Sequence, residues 1–276
     1  MISIAVVTHN RLDLLQQCVE NVLRRTSDRT RQIIIWDNAS TDGTPEYLDS
    51  LTDQRLKVVH HPENIAMNAR PRALALAESK YLIEMDDDVV DAPMNWDNTL
   101  LDAYLRLENF GRLAPFLEYD PEDSASLYLR YMREERGAYP LRIVNGIRIF
   151  EGTPGGACTM IARERYDRVG GYAEHRRYPY WRPEVPFERR MQKLGFRSGF
   201  LADLEIRHAG GYTAAAKPKI DYYFYALRRR QRRNQVKRIL LALPLLPAVN
   251  DRFGWFEPPV PEYDPETYQP EERDRS

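Results

Sequence analysis

Hydrophobic positions in the first ninety residues alternate between two periods. Four short apolar runs, rich in β-branched residues, predict strands that are buried on both faces. They span residues 2–7, 32–36, 56–59 and 81–85. The stretches between them predict helices that begin near Leu12, Thr44 and Met67, with Asn10 and Thr44 as N-caps. This alternation indicates an α/β fold with a Rossmann-like, doubly wound and mostly parallel sheet.

The pattern after residue 91 is less regular, and residues 110–140 show no clear period. Asn145-Gly146 is a dipeptide typical of a hairpin and lies inside a further predicted strand. The remaining predicted elements are helices at 92–109, 164–169 and 184–194, and strands at 141–150 and 158–162.

Composition narrows the class of protein. The 276 residues carry 40 basic and 41 acidic side chains, which argues against a nucleic-acid binder that depends on a global positive field. Cys18 and Cys158 are too few for a disulfide framework, and we expect both to be small buried side chains. The N-terminal apolar run lacks a basic leader, so we expect a strand there and a cytoplasmic protein. The longest apolar stretch, 239–249, is broken by two prolines and is too short to cross a bilayer.

Carboxylates follow two of the predicted strands directly. Asp37 ends the second strand, and Asp86, Asp87 and Asp88 follow the fourth. Ligands of open parallel sheets bind beyond the carboxyl ends of the strands. Three consecutive carboxylates repel one another unless a cation compensates them, and Mg²⁺ or Mn²⁺ prefers such oxygen ligands. We interpret the run as a metal site; the alternative is a solvated acidic turn.

At this point the chain resembles glycosyltransferase family 2, with the GT-A fold, over residues 1–212. Four segments carry the resemblance, in the family's order: Val6-Val7-Thr8-His9-Asn10-Arg11, Trp36-Asp37-Asn38-Ala39-Ser40-Thr41-Asp42-Gly43-Thr44, Asn64 through Arg70, and Asp86-Asp87-Asp88 at the Asp-X-Asp position. The resemblance implies a nucleotide-binding half (1–91) and an acceptor and catalytic half (92–212) with a smaller mixed sheet.

The resemblance also implies the residues of the donor site. Those expected to contact the nucleotide sugar are Thr8, Asn10, Arg11, Asp37, Asn64, Arg70, Asp86 and Asp87, with Arg72 as a substitute for Arg70. Those expected to hold Mn²⁺ or Mg²⁺ are Asp86, Asp88 and His208. The structural alternative for Thr8, Asn10 and Asp37 is helix capping. The other histidines show no spacing that argues for chemistry.

The acceptor side is implied by Gly155-Gly156, Trp181 and a carboxylate at the start of the last predicted helix. Alignment from the end of that helix places Glu184 at the position of the family's catalytic base, with Glu188 as a rival one turn later. The neighbours of Glu184 are not the acids of the family pattern, and a helix N-terminal acid is the structural alternative.

The activity implied is inverting transfer of a sugar to an acceptor hydroxyl in glycan or glycoconjugate biosynthesis. UDP is the expected nucleotide, with GDP or dTDP as alternatives, and the acceptor would be a glycan or a lipid-linked molecule. Two rival functions stay open: a nucleotide-sugar binding module without catalysis, and a sugar nucleotidyltransferase. The second would need a glycine-rich loop after the first strand, where Thr8-His9-Asn10-Arg11 has no glycine.

The C-terminal residues differ in character. An extension at 213–249 is basic and aromatic at its start and is expected to be helical, whereas the tail at 250–276 is acidic, proline-rich and expected to be extended or disordered. The extension fits peripheral contact with an anionic membrane through 217–249, or equally a helix that packs on the core.

Overall fold

The computed structural model describes residues 1–120, 123–134, 137–174 and 183–210. The strands of this part are β1 (Ile2–Thr8), β2 (Thr30–Asn38), β3 (Leu56–His61), β4 (Tyr81–Asp86), β5 (Val89–Asp91), β6 (Phe110–Leu117), β7 (Leu141–Val144), β8 (Ile147–Glu151), β9 (Cys158–Ala162) and β10 (Arg197–His208). The helices are α1 (Leu12–Arg25), α2 (Thr44–Asp49), α3 (Ala69–Ala75), α4 (Trp96–Arg106), α5 (Ser124–Glu134), α6 (Arg163–Arg168) and α7 (Glu184–Lys193). Trp181, the extension and the tail lie outside these residues.

The strands form one connected sheet in the order β3-β2-β1-β4-β9-β6-β10-β8-β7. The strands from β3 to β4 are parallel to one another, β9 runs antiparallel to both of its neighbours, and β6 is parallel to β10. The short strand β5 pairs with the end of β10 as a small antiparallel ribbon. The mostly parallel first half and the mixed second half confirm the predicted fold class.

Two apolar layers cover the two faces of the sheet. One cluster includes Ile4, Ile83 and Met85, and it packs against α1 and α4. The other includes Leu82 and Phe187, and it packs against α3, α6 and α7. Neighbouring residues of β4 therefore point into opposite layers, as the two-residue period of a strand requires. Cys18 and Cys158 are both buried and free, as expected.

Two predicted N-caps are wrong. Asn10 adopts a left-handed backbone (φ 51°), and its side-chain oxygen accepts a hydrogen bond from the Thr41 amide instead of capping α1. Asp42 accepts a bond from the Leu12 amide at 3.0 Å and one from the Thr44 hydroxyl at 2.7 Å. One aspartate thus serves the starts of both α1 and α2, and Thr44 is the first residue of its helix.

Three elements of the second half were not predicted, namely β6, α5 and β10. Pro115 and the buried Arg112 interrupt the apolar pattern of β6, although the strand is buried along its whole length. The predicted hairpin is confirmed, because β7 and β8 pair through Asn145 and Gly146, both with positive φ. Among the described residues, no helix is long and apolar enough to cross a membrane.

Candidate active site

The register of the parallel strands brings four polar side chains to one edge of the sheet. In β1, Thr8 lies opposite Asp37 of β2, and Val7 lies opposite Asp86 of β4. In β3, His60 lies opposite Asp37. The prediction that two strands end in acids at the same edge is therefore confirmed.

Each carboxylate of the acidic run contacts a different set of partners. Asp86 forms an ion pair with Arg70. Asp87 accepts hydrogen bonds of 2.7 Å from both the Thr8 hydroxyl and Arg11. The other terminal nitrogen of Arg11 donates to Asp88 at 2.7 Å. Burial alone would lower the pKa of Arg11, but the charges of Asp87 and Asp88 raise it, so Arg11 stays cationic.

His208, the last residue of β10, lies between two acids. Its Nε2 is 3.0 Å from Oδ1 of Asp88, and its Nδ1 is 3.1 Å from Oδ2 of Asp123. Burial alone would lower the pKa of His208, but its bonds to these acids raise it to about 10. Burial would likewise raise the pKa of Asp88, but His208 and Arg11 hold it well below its usual value. Asp123 was missed because residues 110–140 gave no clear pattern.

The cations that compensate the acidic run are side chains, whereas the sequence analysis expected a metal ion. Arg11, Arg70 and His208 already neutralise the acidic run, so its charge alone does not require a metal ion. The prediction that repulsion among Asp86, Asp87 and Asp88 calls for a metal ion was wrong, because it left out arginines that are distant in sequence. The case for a metal therefore rests on geometry.

Three side chains could hold a metal ion together. Asp86, Asp88 and His208 each offer one ligand atom, and these atoms lie within 4.8 Å of one another. The 3.0 Å between Nε2 of His208 and Oδ1 of Asp88 equals the edge of an octahedron with bonds of about 2.1 Å. Nδ1 of His208 is 3.1 Å from Asp123, and in many metal sites such a carboxylate orients the imidazole. These residues fit Mn²⁺ or Mg²⁺, and binding of the ion would displace the proton that Nε2 of His208 shares with Asp88.

A second polar cluster surrounds Asp37, which is 2% exposed. Its Oδ1 accepts from the Ser40 amide at 2.9 Å, and its Oδ2 lies 3.0 Å from Nδ1 of His60. The other ring nitrogen of His60 is 3.1 Å from Asp49, and these bonds, chiefly that to Asp37, raise the pKa of His60. The sequence interpretation assigned His60 no role; its place opposite Asp37 at the tip of the next strand was the missed signal.

The loop residues of the predicted site fall on the same edge. The Asn10 amide donates to the Ser40 hydroxyl at 2.9 Å, which ties the loop after β1 to the loop after β2. Asn64 accepts a hydrogen bond of 2.8 Å from Asn38 at the end of β2. Asn38 also accepts from the Ile65 amide. These contacts place Asn10 and Asn64 beside the end of β2, next to Asp37.

Arg70 and Arg72 lie in different surroundings, and only Arg70 contacts the acidic run. Arg70 points to Asp86, and a Cβ added at Gly156 would overlap its guanidinium. Burial alone would lower the pKa of Arg70, but Asp86, Glu84 and Glu184 raise it. Arg72 instead forms a paired ion contact of 2.9 Å with Glu174 on the surface. Arg72 thus does not substitute for Arg70.

The candidate bases lie on one buried face of α7. Glu184 and Glu188 are 5% and 3% exposed, one helical turn apart. Glu188 forms an ion pair of 3.3 Å with Arg112 of β6, and Arg112 also contacts Glu84 of β4 at 3.0 Å. The Tyr172 hydroxyl donates to the same oxygen of Glu84 at 2.7 Å. No pattern in the sequence indicated this buried ionic group.

The fold is that of the GT-A glycosyltransferases. Similar solved structures include the mannosyltransferase PcManGT from Pyrobaculum calidifontis in complex with GDP-Man and Mn²⁺, with a TM-score of 0.56 and 21% identity, covering 86% of this chain and 64% of that chain. Another is GalNAc-T7 with UDP, GalNAc and Mn²⁺, with a TM-score of 0.57 and 16% identity, covering 83% of this chain and 50% of that chain. At these identities the similarity establishes the fold alone.

The chain belongs to glycosyl transferase family 2, whose family model matches residues 3–202. The glycosyltransferase GlyG of Streptococcus pneumoniae serotype 4 (strain ATCC BAA-334 / TIGR4) is 32% identical over 98 residues, which are 34% of this chain and 32% of that protein. The match thus spans about a third of the length of this curated relative. The resemblance in the sequence is confirmed at the level of the family.

Proposed function

We propose that this protein transfers a sugar from a nucleoside diphosphate to an acceptor hydroxyl, with inversion and with a divalent metal ion, in glycan or glycoconjugate biosynthesis. One observation carries the proposal: Asp86, Asp88 and His208 converge at the sheet edge that also holds Asp37. Glu184 as the base and Arg70 as the cation that binds the diphosphate would complete the site, and both act on or beside Asp86.

The nucleotide would bind along the tips of β1 to β4. Asp37 would accept a hydrogen bond from the base, with Thr8, Asn10, Arg11 and Asn64 around it. The solved relatives bind GDP-Man in one case and UDP in another. We take UDP as the first nucleotide to test and GDP and dTDP as alternatives.

The diphosphate would lie against Asp86, Asp88, His208 and Arg70. The residues that would hold Mn²⁺ or Mg²⁺ are Asp86, Asp88 and His208, and the ion would neutralise charge on the leaving diphosphate. Arg70 supplies a fixed positive charge beside the same edge, where it is held by Asp86. Asp87 holds Thr8 and Arg11 in place, so its contribution to donor binding is indirect.

The acceptor hydroxyl would lose its proton to Glu184. Glu188 is committed to a buried ion pair with Arg112, which favours Glu184 as the base. Glu184 stands at the first position of α7, where the helix dipole stabilises the ionised form that a base needs. Gly155 and Gly156 form the turn that faces Arg70 and would border the acceptor.

The test is a panel of UDP-, GDP- and dTDP-sugars with Mn²⁺, scored by thermal shift and by release of the nucleoside diphosphate. A transferase binds one class of nucleotide sugar and, when no acceptor is present, slowly hydrolyses the bond between the sugar and the diphosphate. Glu184→Gln should suppress release of the nucleoside diphosphate without loss of nucleotide binding. A protein that is stabilised by a nucleotide yet releases no diphosphate from any sugar is a binding module, and the proposal fails.

Contact with a membrane through 217–249 remains a prediction from the sequence. Its support is the basic and aromatic composition of that segment. Flotation with anionic vesicles tests it: retention of the full chain, and not of the chain ending at residue 216, is the expected result.

A further inference from the structure

Arg112 occupies an unusual position for an arginine, because it is 1% exposed in the middle of the sheet. Its two terminal nitrogens contact Glu84 of β4 at 3.0 Å and Glu188 of α7 at 3.3 Å. It also reaches the carbonyl oxygen of Pro154 at 3.4 Å and that of Gly155 at 3.5 Å. One guanidinium thus joins a strand, a helix and the glycine turn.

The two acids it joins have counterparts in the proposed active site. Glu84 and Asp86 are two residues apart on β4 and therefore lie on the same face of the strand. Glu188 and Glu184 are four residues apart on α7 and share a buried face of the helix. Through Glu84 and Glu188, Arg112 therefore connects β4 to α7; we call these contacts the inner bridge. Asp86 and Glu184 belong to the same strand and the same helix, two residues along β4 and one turn along α7, and we call the space between them the outer gap.

The outer gap is electrostatically linked as well. Asp86 forms an ion pair with Arg70, and the charge of Glu184 also acts on Arg70. Tyr172 supports the inner bridge by donating to Glu84. The inner bridge is sealed from solvent, whereas the side chain of Asp86 is 30% exposed.

We propose that Arg112 is a positioning residue that sets the separation between Asp86, at the donor end of the site, and Glu184, at the acceptor end. This inference rests on the proposed function for the roles of those two acids. Arg112 contacts neither substrate in this account; it acts through Glu84 and Glu188.

The chemistry of arginine suits this role. Its planar fork presents two terminal nitrogens in fixed directions, so one side chain can hold two carboxylates at a fixed separation, which the flexible ammonium of lysine does not. Without the cation, two buried carboxylates would face each other and repel. A shift of α7 by about 1 Å relative to β4 is enough to lower transfer about a hundredfold.

The test uses the full chain with the double variant Arg112→Met/Glu188→Gln, which removes one cation and one anion together and leaves Glu84 with Tyr172. The control is Arg197→Met, which breaks a paired contact of 2.6 and 2.7 Å between β10 and Glu151 of β8 and removes no partner of α7. Two properties are measured: hydrogen–deuterium exchange of the α7 amides, and UDP binding and release with UDP-sugars and Mn²⁺.

We expect the double variant to bind UDP within about threefold of wild type, to exchange its α7 amides about tenfold faster, and to release UDP about a hundredfold more slowly. Unchanged α7 exchange, or release that matches the Arg197→Met control, overturns the inference. If the double variant does not fold, Glu188→Gln alone is measured, and faster α7 exchange with slower release is again required. If wild type releases no diphosphate from any sugar, the proposed function fails, while α7 exchange still tests whether Arg112 fixes the helix.

Discussion

Of the two carboxylates in the proposed metal site, Asp88 is the more buried, and Asp88→Asn removes its charge while keeping its size. The side chain is buried, receives Arg11 at 2.7 Å and lies 3.0 Å from His208. After the substitution, Arg11 keeps Asp87 and His208 keeps Asp123 as anionic partners. Neither cation is left alone in the interior.

The structural cost of Asp88→Asn should therefore be moderate. Loss of a partner from a buried ion pair costs about 3–5 kcal/mol when the remaining charge is uncompensated. Here both cations stay paired, so we expect about 1–3 kcal/mol, the range for a weakened buried hydrogen bond. Asp88→Ala, which also leaves a gap beside Arg11, should be the more destabilising change.

The functional cost should be larger than the structural one. Loss of an anionic ligand should lower Mn²⁺ affinity by at least about a hundredfold, because loss of a partner that merely orients a ligand already costs about 10–100-fold. A hundredfold corresponds to about 2.7 kcal/mol. Diphosphate release from a nucleotide sugar should fall by a similar factor or more.

Asp87→Asn is the matched control, because Asp87 is equally buried and shares Arg11 but lies outside the group that could hold the metal. Free Mn²⁺ is followed by electron paramagnetic resonance, and stability by calorimetry. We expect similar losses of stability for the two variants and a loss of Mn²⁺ affinity for Asp88→Asn alone. Equal Mn²⁺ affinities in the two variants would refute the assignment of the metal ligands.

Three further predictions concern other walls of the site. Glu184→Gln should lower the transfer rate by about 10²–10⁴-fold and leave nucleotide affinity unchanged, since it removes only the proton acceptor; steady-state kinetics and calorimetric titration measure the two effects. The pKa of His60 is raised in the folded state, so its bond to Asp37 stabilises the fold fully below about pH 6.5, the ordinary pKa of histidine. This stabilisation is lost as the pH rises through the higher folded pKa. The difference in Tm between wild type and His60→Gln should therefore shrink over that range. Gly156→Ala should weaken UDP binding, because its Cβ would overlap the guanidinium of Arg70, which we propose faces the diphosphate. Gly155→Ala, with open space around its Cβ, should bind UDP like wild type in a thermal shift.

Each of these has a clear opposing result. Loss of activity with Glu188→Gln and not with Glu184→Gln would transfer the base to the other acid. A constant difference in Tm across the pH range would show that the charge of His60 is irrelevant to Asp37. Equal UDP affinities for Gly156→Ala and Gly155→Ala would show that the diphosphate does not bind next to Arg70.

The first half of the fold could be predicted because its signals are local. Each parallel strand is a continuous apolar run, and the acids of β2 and β4 follow directly, so sheet topology alone brings Asp37 and Asp86 to one edge. The approximate helix positions also followed from local pattern. The third helix, predicted to run from about Met67 to Ser79, is shorter: α3 ends at Ala75, and the carbonyl oxygens of Leu74 and Ala77 accept hydrogen bonds from Arg163.

The second half was harder because its signals are weak or distant in sequence. In β10, Leu204, Ile206 and His208 are buried and alternate with more exposed charged residues, and this two-residue period was overlooked. Arg112 and Asp123 have no sequence signature of their own. Their partners lie dozens of residues away, and only the packed structure brings them together.

In the proposed site, one divalent ion and one nucleotide meet at the shared edge of β1, β2 and β4. Crystals of the full chain grown with Mn²⁺ and UDP, with data collected near the manganese absorption edge, would show where each of them binds. We expect an anomalous peak in contact with Asp88 and His208, beside a diphosphate whose base reaches Asp37. An anomalous peak elsewhere, or a nucleotide bound away from Asp37, would contradict it.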